Sequence, residues 1–381
     1  MCQVNASRVA AKAPAAHGEV MWPTALAKRL GVEYPLILAP MAGGPSTAEL
    51  AVAVCEAGGL GSFGGGYLAP EALRTAIREI RARTKCPFAV NLLMPEPQKP
   101  PDEAAVQAAN SALEPIRREL HLTTSSRPGS LPDFDALFGV VVEEKVPVFS
   151  YTFGALDEAR VRALHRIGTI VMGSATTVEE ARRLEATGVD AVVAQGAEAG
   201  GHRGAFAAPA ERSLIGTISL VPQVVDVVRV PVVAAGGIMD GRGIVAAFAL
   251  GAAAVQLGTA FLATPESGAN ALHKKALLAR YNEDPTRLTR AFSGKLVRGF
   301  SNRFMDEVER AGAILPYPYQ NLLTAEIRQE AVRQQRPEFA SMWAGQGAPM
   351  ASAKPAGELL RQLIAETEQV RARLTRAEEP T

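Results

Sequence analysis

The chain has 381 residues, 48% of them apolar and 21% charged, which excludes a wholly disordered chain and suits a protein with a large core. Forty basic residues against 39 acidic ones give a net charge of +1, so no broad electrostatic drive toward nucleic acid or anionic lipid exists. Aromatic residues, at 6%, are too few for an extended base-stacking platform.

The first 20 residues read as a flexible tail. They are Ala-rich, carry Arg8 and Lys12, and lack the uninterrupted apolar core of a secretory signal. Residues 36–41, short, apolar and followed by Gly43, Gly44 and Pro45, predict a buried strand, and 47–57 a helix closed by Gly58 and Gly59. A second strand over 60–63 ends in three glycines. A helix over 70–84 carries a solvated Arg/Glu face, and a third strand spans 88–93. Residues 95–133 break the rhythm with several prolines, a helical patch over 103–120 and a polar stretch over 123–130. An insertion of this length is often functional.

The alternation then resumes. Strands are predicted over 146–150, 169–172, 191–195, 231–235 and 254–257, with helices over 157–167, 177–187, 218–228 and 240–250. A glycine-rich loop runs from the sixth strand to Gly204. Nearly continuous apolar strands are buried on both faces, as parallel sheets require. Eight successive strand–helix units predict an α/β fold, a (β/α)8 TIM barrel over residues 21–265 with the insertion 95–134. Residues 266–381 predict a second, smaller, mainly helical substrate domain, irregular over 290–319 and ending in a charged amphipathic surface helix over 358–379.

Three cysteines, Cys2, Cys55 and Cys86, are too scattered for a disulfide framework or a cysteine-rich zinc site, and point to a reducing, cytoplasmic compartment. No run of about 20 apolar residues marks a membrane span.

In a barrel the chemistry gathers at the carboxyl ends of the strands. Gly236 and Gly237 follow the seventh strand, and Gln256-Leu257-Gly258-Thr259 close the eighth. These are the two places where barrels commonly bind phosphate, although both can be plain tight turns. Asn91 and Gln195 end apolar strands. Each can bond backbone, or donate and accept at the edge of a flavin ring. His202 is the one histidine set in a glycine-rich loop after a barrel strand; His17, His121, His165 and His273 have no such setting. It either handles a proton or an anion beside a cofactor, or bonds a carbonyl as a structural residue. No nucleophile elbow and no metal-ligand spacing is present, so a bound organic cofactor would have to carry the chemistry.

Together, Leu38-Ala39-Pro40-Met41-Ala42-Gly43-Gly44, Asn91-Leu92, residues 148–154, 195–204 with its Gly-Gly-His-Arg-Gly run, 234–238 and 256–259 resemble the nitronate monooxygenase family, formerly called 2-nitropropane dioxygenases. The resemblance covers about 36–304 and continues through Tyr317-Pro318-Tyr319-Gln320. It implies that FMN is held by Met41, Asn91, Gln195, Gly200, Gly201, Gly236, Gly237, Gln256, Leu257, Gly258 and Thr259. It also implies that His202 is the active-site histidine and that Tyr317 and Tyr319 line the substrate pocket. The stretch Ser293-Gly294-Lys295 looks familial too, with a structural turn as its simplest reading.

The activity implied is oxidation of alkyl nitronates, such as propionate 3-nitronate, by O2 to carbonyl compounds and nitrogen oxyanions. The partners implied are a small-molecule substrate and O2, with no metal, nucleic acid or membrane, and a homodimer is possible. Two other readings stay open. One is an FMN-dependent NAD(P)H reductase of the enoyl-ACP or quinone type, the former with a similar Gly-Gly-His loop. The other is a non-catalytic FMN- or phosphate-binding barrel.

Overall fold

The computed structural model describes residues 22–96, 99–122, 130–279, 281 and 283–376. The expected tail over 1–20 and nearly all of the polar stretch 123–130 lie outside the described residues. The strands are β1 (Leu36–Leu38), β2 (Gly61–Gly64), β3 (Phe88–Leu93), β4 (Val148–Thr152), β5 (Ile170–Ala175), β6 (Ala191–Gln195), β7 (Gly201–His202), β8 (Val232–Ala235), β9 (Ala254–Leu257), β10 (Thr286–Thr289) and β11 (Val297–Phe300).

Eight of them run parallel in the order β1-β9-β8-β6-β5-β4-β3-β2. A parallel bridge from Ile37 to Leu60 joins the two ends, with Leu60 N donating to Leu36 O and Leu38 N to Leu60 O at 2.9 Å each. The expected TIM barrel therefore closes. The strand β1 stops at Leu38, short of the expected 41, because Pro40 has no N–H to give to a ladder. The helices around the barrel begin where side chains cap them. Thr47, Asp157, Thr177 and Asp240 each accept from a backbone N–H of the following first turn.

The inside of the barrel is filled from below. Ile37, Leu60, Ala89, Val148, Met172, Ala191, Val193, Val233 and Ala254 form one buried cluster with Leu26 and Leu30 of the helix Ala25–Leu30. That helix plugs the amino-terminal end, and the carboxyl end is left for a site.

The last helix, Ala356–Arg376, does more than cover the surface. It buries Leu359, Leu360 and Leu363 and packs against the helices Gly241–Ala249 and Ala48–Glu56, which flank the eighth outer position of the barrel. The approach is so close that a Cβ on Gly241 would lie 2.4 Å from the Glu366 carbonyl carbon. The chain thus leaves the barrel after β9 and returns to supply the missing helix.

Between departure and return lies a second core. Leu113 and Ile116 of the inserted helix Glu103–Glu119 pack with Phe292, Phe304, Leu323 and Phe339. Fully buried Arg117 ties the two segments together: its Nε donates to Glu326 at 2.9 Å and its Nη2 to Leu323 O at 3.3 Å. The expectation of an irregular stretch over 290–319 needs correction. The strand β11 pairs antiparallel with both β10 and β7, and the helix Arg303–Ala311 follows. Strands of two and four residues carry too little periodicity to read, and their partners are distant in sequence. Among the described residues no helix is long and apolar enough to cross a membrane.

Candidate active site

The glycine-rich loop after β6 is held on two sides. On one side, His202 stands opposite Val297 in the β7–β11 pairing, and Arg203 N donates to Leu296 O at 2.9 Å. On the other, Gln195 Oε1 accepts from Gly204 N at 2.8 Å and Arg203 Nη1 at 3.2 Å, while its Nε2 donates to His202 O at 3.1 Å. Arg203 is buried and donates also to Gly196 O and Ser213 O at 2.7 Å each. The buried Glu180 carboxylate finishes the latch, accepting from Phe206 N at 2.6 Å and Ala207 N at 3.0 Å. This web of interior donors and acceptors fixes the direction of the imidazole.

The imidazole faces a cavity of about 860 Å³ at the carboxyl ends of the strands. The lining includes Met41, Asn91, Gln195, Gly200, Gly201, His202, Gly236, Gly237, Gln256, Gly258 and Thr259, so the structure gathers most of the expected residues around one space. Asn91 is buried and donates from Nδ2 to Ser150 Oγ at 2.9 Å. No described residue accepts from the N–H groups of Gly237, Ile238, Gly258 and Thr259, which leaves four donors at adjoining strand ends. The nearby helix Thr217–Val225 is already served: the Glu198 carboxylate accepts from Thr217 N at 2.9 Å and Thr217 Oγ1 at 2.8 Å.

Three expected residues fall elsewhere. Leu257 does not line the cavity; its side chain belongs to the outer core with Val255, because alternation along β9 turns Gln256 inward and its neighbours outward. Tyr319 packs against the second core rather than the cavity. Tyr317 is buried one layer back, its ring 5.9 Å from His202 and its hydroxyl 3.4 Å from that of Tyr67, a lining residue.

Several members of the site were not read from the sequence. Ser293 Oγ lies 2.9 Å from His202 Nε2. Phe153 meets the imidazole edge-to-face at 5.7 Å, and Trp343 lies tilted against it at 6.1 Å. Lys295 is buried, pairs with Glu96, and puts Nζ 4.3 Å over the Phe153 ring. His273, given no role from its sequence setting, lines the cavity with Nε2 2.9 Å from Trp343 O. A carbonyl only accepts, so Nε2 carries the proton in His273. Arg328 is the lone arginine of the lining, which holds no Asp, Glu or Lys among its described residues.

These surroundings set the charge state. Burial, with lesser pushes from the Lys295 and Arg328 charges, drives the His202 pKa from 6.5 down to about 3. Burial takes His273 down to about 4, against a small opposite effect of its bond to Trp343. Both imidazoles are therefore neutral at neutral pH, in a cavity whose fixed charge is positive.

Comparison with known proteins agrees with this arrangement. Residues 24–366 match the family model described as "Nitronate monooxygenase". A probable nitronate monooxygenase of Staphylococcus aureus (strain MRSA252) is 41% identical over 348 residues, covering 91% of this chain and 97% of that one. Among solved structures, nitroalkane oxidase from Streptomyces ansochromogenes is similar with a TM-score of 0.86 and 43% identity over 91% of this chain and 99% of that chain. FabK from Thermotoga maritima aligns with a TM-score of 0.72 and 32% identity over 93% and 98%. An enoyl reductase domain of MlnA from Bacillus amyloliquefaciens, 12% identical at a TM-score of 0.61, shares the fold alone. The barrel, the histidine loop and these matches lead to one conclusion: the chain belongs to the nitronate monooxygenase family of oxidoreductases.

Proposed function

We propose that this enzyme uses FMN and O2 to oxidise alkyl nitronates, such as propionate 3-nitronate, to carbonyl compounds and nitrogen oxyanions. The observation that carries the reading is a neutral His202 lining a cavity with no acidic side chain among its described residues. Such a cavity admits an anion and does not repel it.

The donor set fits FMN. The unclaimed N–H groups of Gly237, Ile238, Gly258 and Thr259 suit a phosphate. Asn91 and Gln256 offer amides to a ring edge, Gln195 retains one Nε2 hydrogen, and Met41 offers an apolar contact. Bound FMN would supply the electron-accepting chemistry that no side chain of the cavity can.

His202 acts on the substrate as a hydrogen-bond donor. Ser293 has one hydroxyl proton; given to Nε2, it leaves the proton of the imidazole on Nδ1, which has no partner among the described residues and donates to a nitronate oxygen. An imidazole with a pKa of about 3 is a weak base, so the substrate enters as the preformed anion and does not lose its α-proton to His202. Phe153, Tyr317 and Trp343 around the ring keep water from competing for that bond.

The test is the visible spectrum of the purified protein and oxygen uptake with propionate 3-nitronate. The reading expects bound FMN and O2 consumption, reduced at least ~10-fold in His202→Asn with FMN retained. A protein that takes up no flavin on reconstitution contradicts it, as does a His202→Asn variant with full turnover.

A further inference from the structure

Arg328 has no role so far, and its surroundings are unusual for an arginine. It sits on the helix Ala325–Arg333, where spacing of three and four residues turns Ala325, Arg328, Gln329 and Val332 toward the cavity. The opposite face buries Ile327 and Ala331. The two carboxylates of the same helix are already engaged: Glu326 with Arg117 at 2.9 Å and Glu330 with Arg333 at 2.5 Å. The guanidinium itself pairs with no carboxylate among the described residues. Asn321 pins Nη2 through its carbonyl oxygen at 2.5 Å and its Oδ1 at 3.1 Å. Nε is buried with no partner among the described residues, and none of them accepts from Nη1. A guanidinium held still, with its Nε withdrawn from water and without a partner, is costly unless a ligand completes it. Its planar donor fork matches a carboxylate.

We propose that Arg328 is a specificity-determining residue that binds a carboxylate on the substrate, so that nitronates carrying an acid group are preferred over plain alkyl nitronates. The substrate class rests on the nitronate reading above; the anion site does not. His202 and Arg328 line the same cavity, and neither meets an acidic side chain in it. The cavity can therefore hold a dianion with one charge at each group. Asn321 keeps the guanidinium oriented before the ligand arrives, which lowers the ordering cost of binding. A simple alkyl nitronate would leave the guanidinium unsatisfied.

The test compares propionate 3-nitronate with propyl-1-nitronate, which lacks the acid group, on the FMN-loaded enzyme and on Arg328→Gln. For the acid substrate the variant should raise KM about 30-fold with kcat changed little, and for propyl-1-nitronate KM should stay within about 3-fold. Arg328→Lys, which keeps the charge and loses the fork, should recover part of the difference. Succinate has a carboxylate where the acid substrate has its nitronate group and cannot turn over. Its affinity, read by calorimetry, should fall about 30-fold in Arg328→Gln.

An Arg328→Gln enzyme that still favours the acid substrate as wild type does overturns the proposal, and so does succinate binding that ignores the substitution. An enzyme that oxidises neither nitronate yet binds succinate through Arg328 sinks the nitronate reading and leaves the carboxylate site standing. A variant weakened toward NADPH and unaffected toward succinate assigns the guanidinium to a nucleotide phosphate and overturns the proposal.

Discussion

Ser293 Oγ lies 2.9 Å from Nε2 of His202, although 91 residues separate them. The same hydroxyl faces Lys295 O at 3.1 Å and Lys295 N at 3.3 Å. One rotation of one hydroxyl therefore decides which way the histidine works. With its proton on Nε2, the imidazole presents a donor at Nδ1. With its proton on Lys295 O, Nε2 carries the imidazole proton and Nδ1 is an acceptor.

Ser293→Ala removes this control and spares the rest of the latch. We predict a fall of about 10-fold in kcat on a nitronate, with FMN content and melting temperature close to wild type. Steady-state kinetics with a flavin count decides. Undiminished kcat would show that the Gln195 and β11 contacts orient the ring by themselves.

The turn that delivers Ser293 should itself be intolerant. Gly294 has φ +80°, and a Cβ there would lie 2.2 Å from Leu315 O. Gly294→Ala is predicted to cost about 2 kcal/mol or more in urea unfolding and to lower activity as Ser293 shifts. A fully stable, fully active variant would mean that the turn relaxes without moving the hydroxyl.

Much of the fold was legible in the sequence because the signals were local. Apolar runs such as 88–93 and 191–195, with the glycines that stop the helices, marked eight parallel strands and hence a mouth where His202, Gly237 and Gly258 had to meet. What escaped were the relationships made by tertiary pairing alone. The strands β10 and β11 are four residues long and gain their identity from each other and from β7. Ser293 and Lys295 read as a turn, and they are one, but the side chains they aim at His202 and Phe153 could not be inferred from spacing. Arg328 carries no sequence signal of its own; only the fold shows that Glu326 pairs with Arg117 and Glu330 with Arg333, leaving the guanidinium to the cavity. The closing helix Ala356–Arg376 was read as a surface element because its partners lie more than 100 residues upstream.

That helix should matter to the barrel without touching the cavity. Its Leu360 is fully buried in the core shared with the barrel. Leu360→Ala is expected to cost about 3 kcal/mol in denaturant unfolding while leaving KM for a nitronate unchanged. A cost near zero would assign the helix to the surface after all.

The pH dependence follows from His202. Burial lowers its pKa from 6.5 to about 3, so the unfolded chain takes up a proton that the folded protein refuses. This contribution to stability is fully present above 6.5 and is lost as pH falls from 6.5 toward 3. Wild type should lose denaturant resistance more steeply than His202→Asn across that window. The difference will be partial, because His273, lowered to about 4, acts in the same sense in both proteins. Parallel curves would place the imidazole in contact with water.

The donors proposed to hold the FMN phosphate can be probed separately from His202. Gly237 has φ +71°, and a Cβ there would stand 3.0 Å from Glu198 Cβ. Gly237→Val should purify with much less FMN than wild type and bind added FMN more weakly by fluorescence titration, by about 10-fold or more. Unchanged affinity would move the phosphate to other donors.

On the proposed function, a preformed nitronate bound by neutral His202 would reduce bound FMN without NADPH. The most direct measurement mixes FMN-loaded enzyme with propionate 3-nitronate in the absence of O2 and follows the flavin spectrum, with NADPH as the parallel arm. Rapid bleaching by the nitronate is expected, with recovery of colour when O2 is admitted, no bleaching by NADPH, and a much slower nitronate reaction in His202→Asn. Bleaching by NADPH with no response to the nitronate would contradict it and assign this barrel to the reductases.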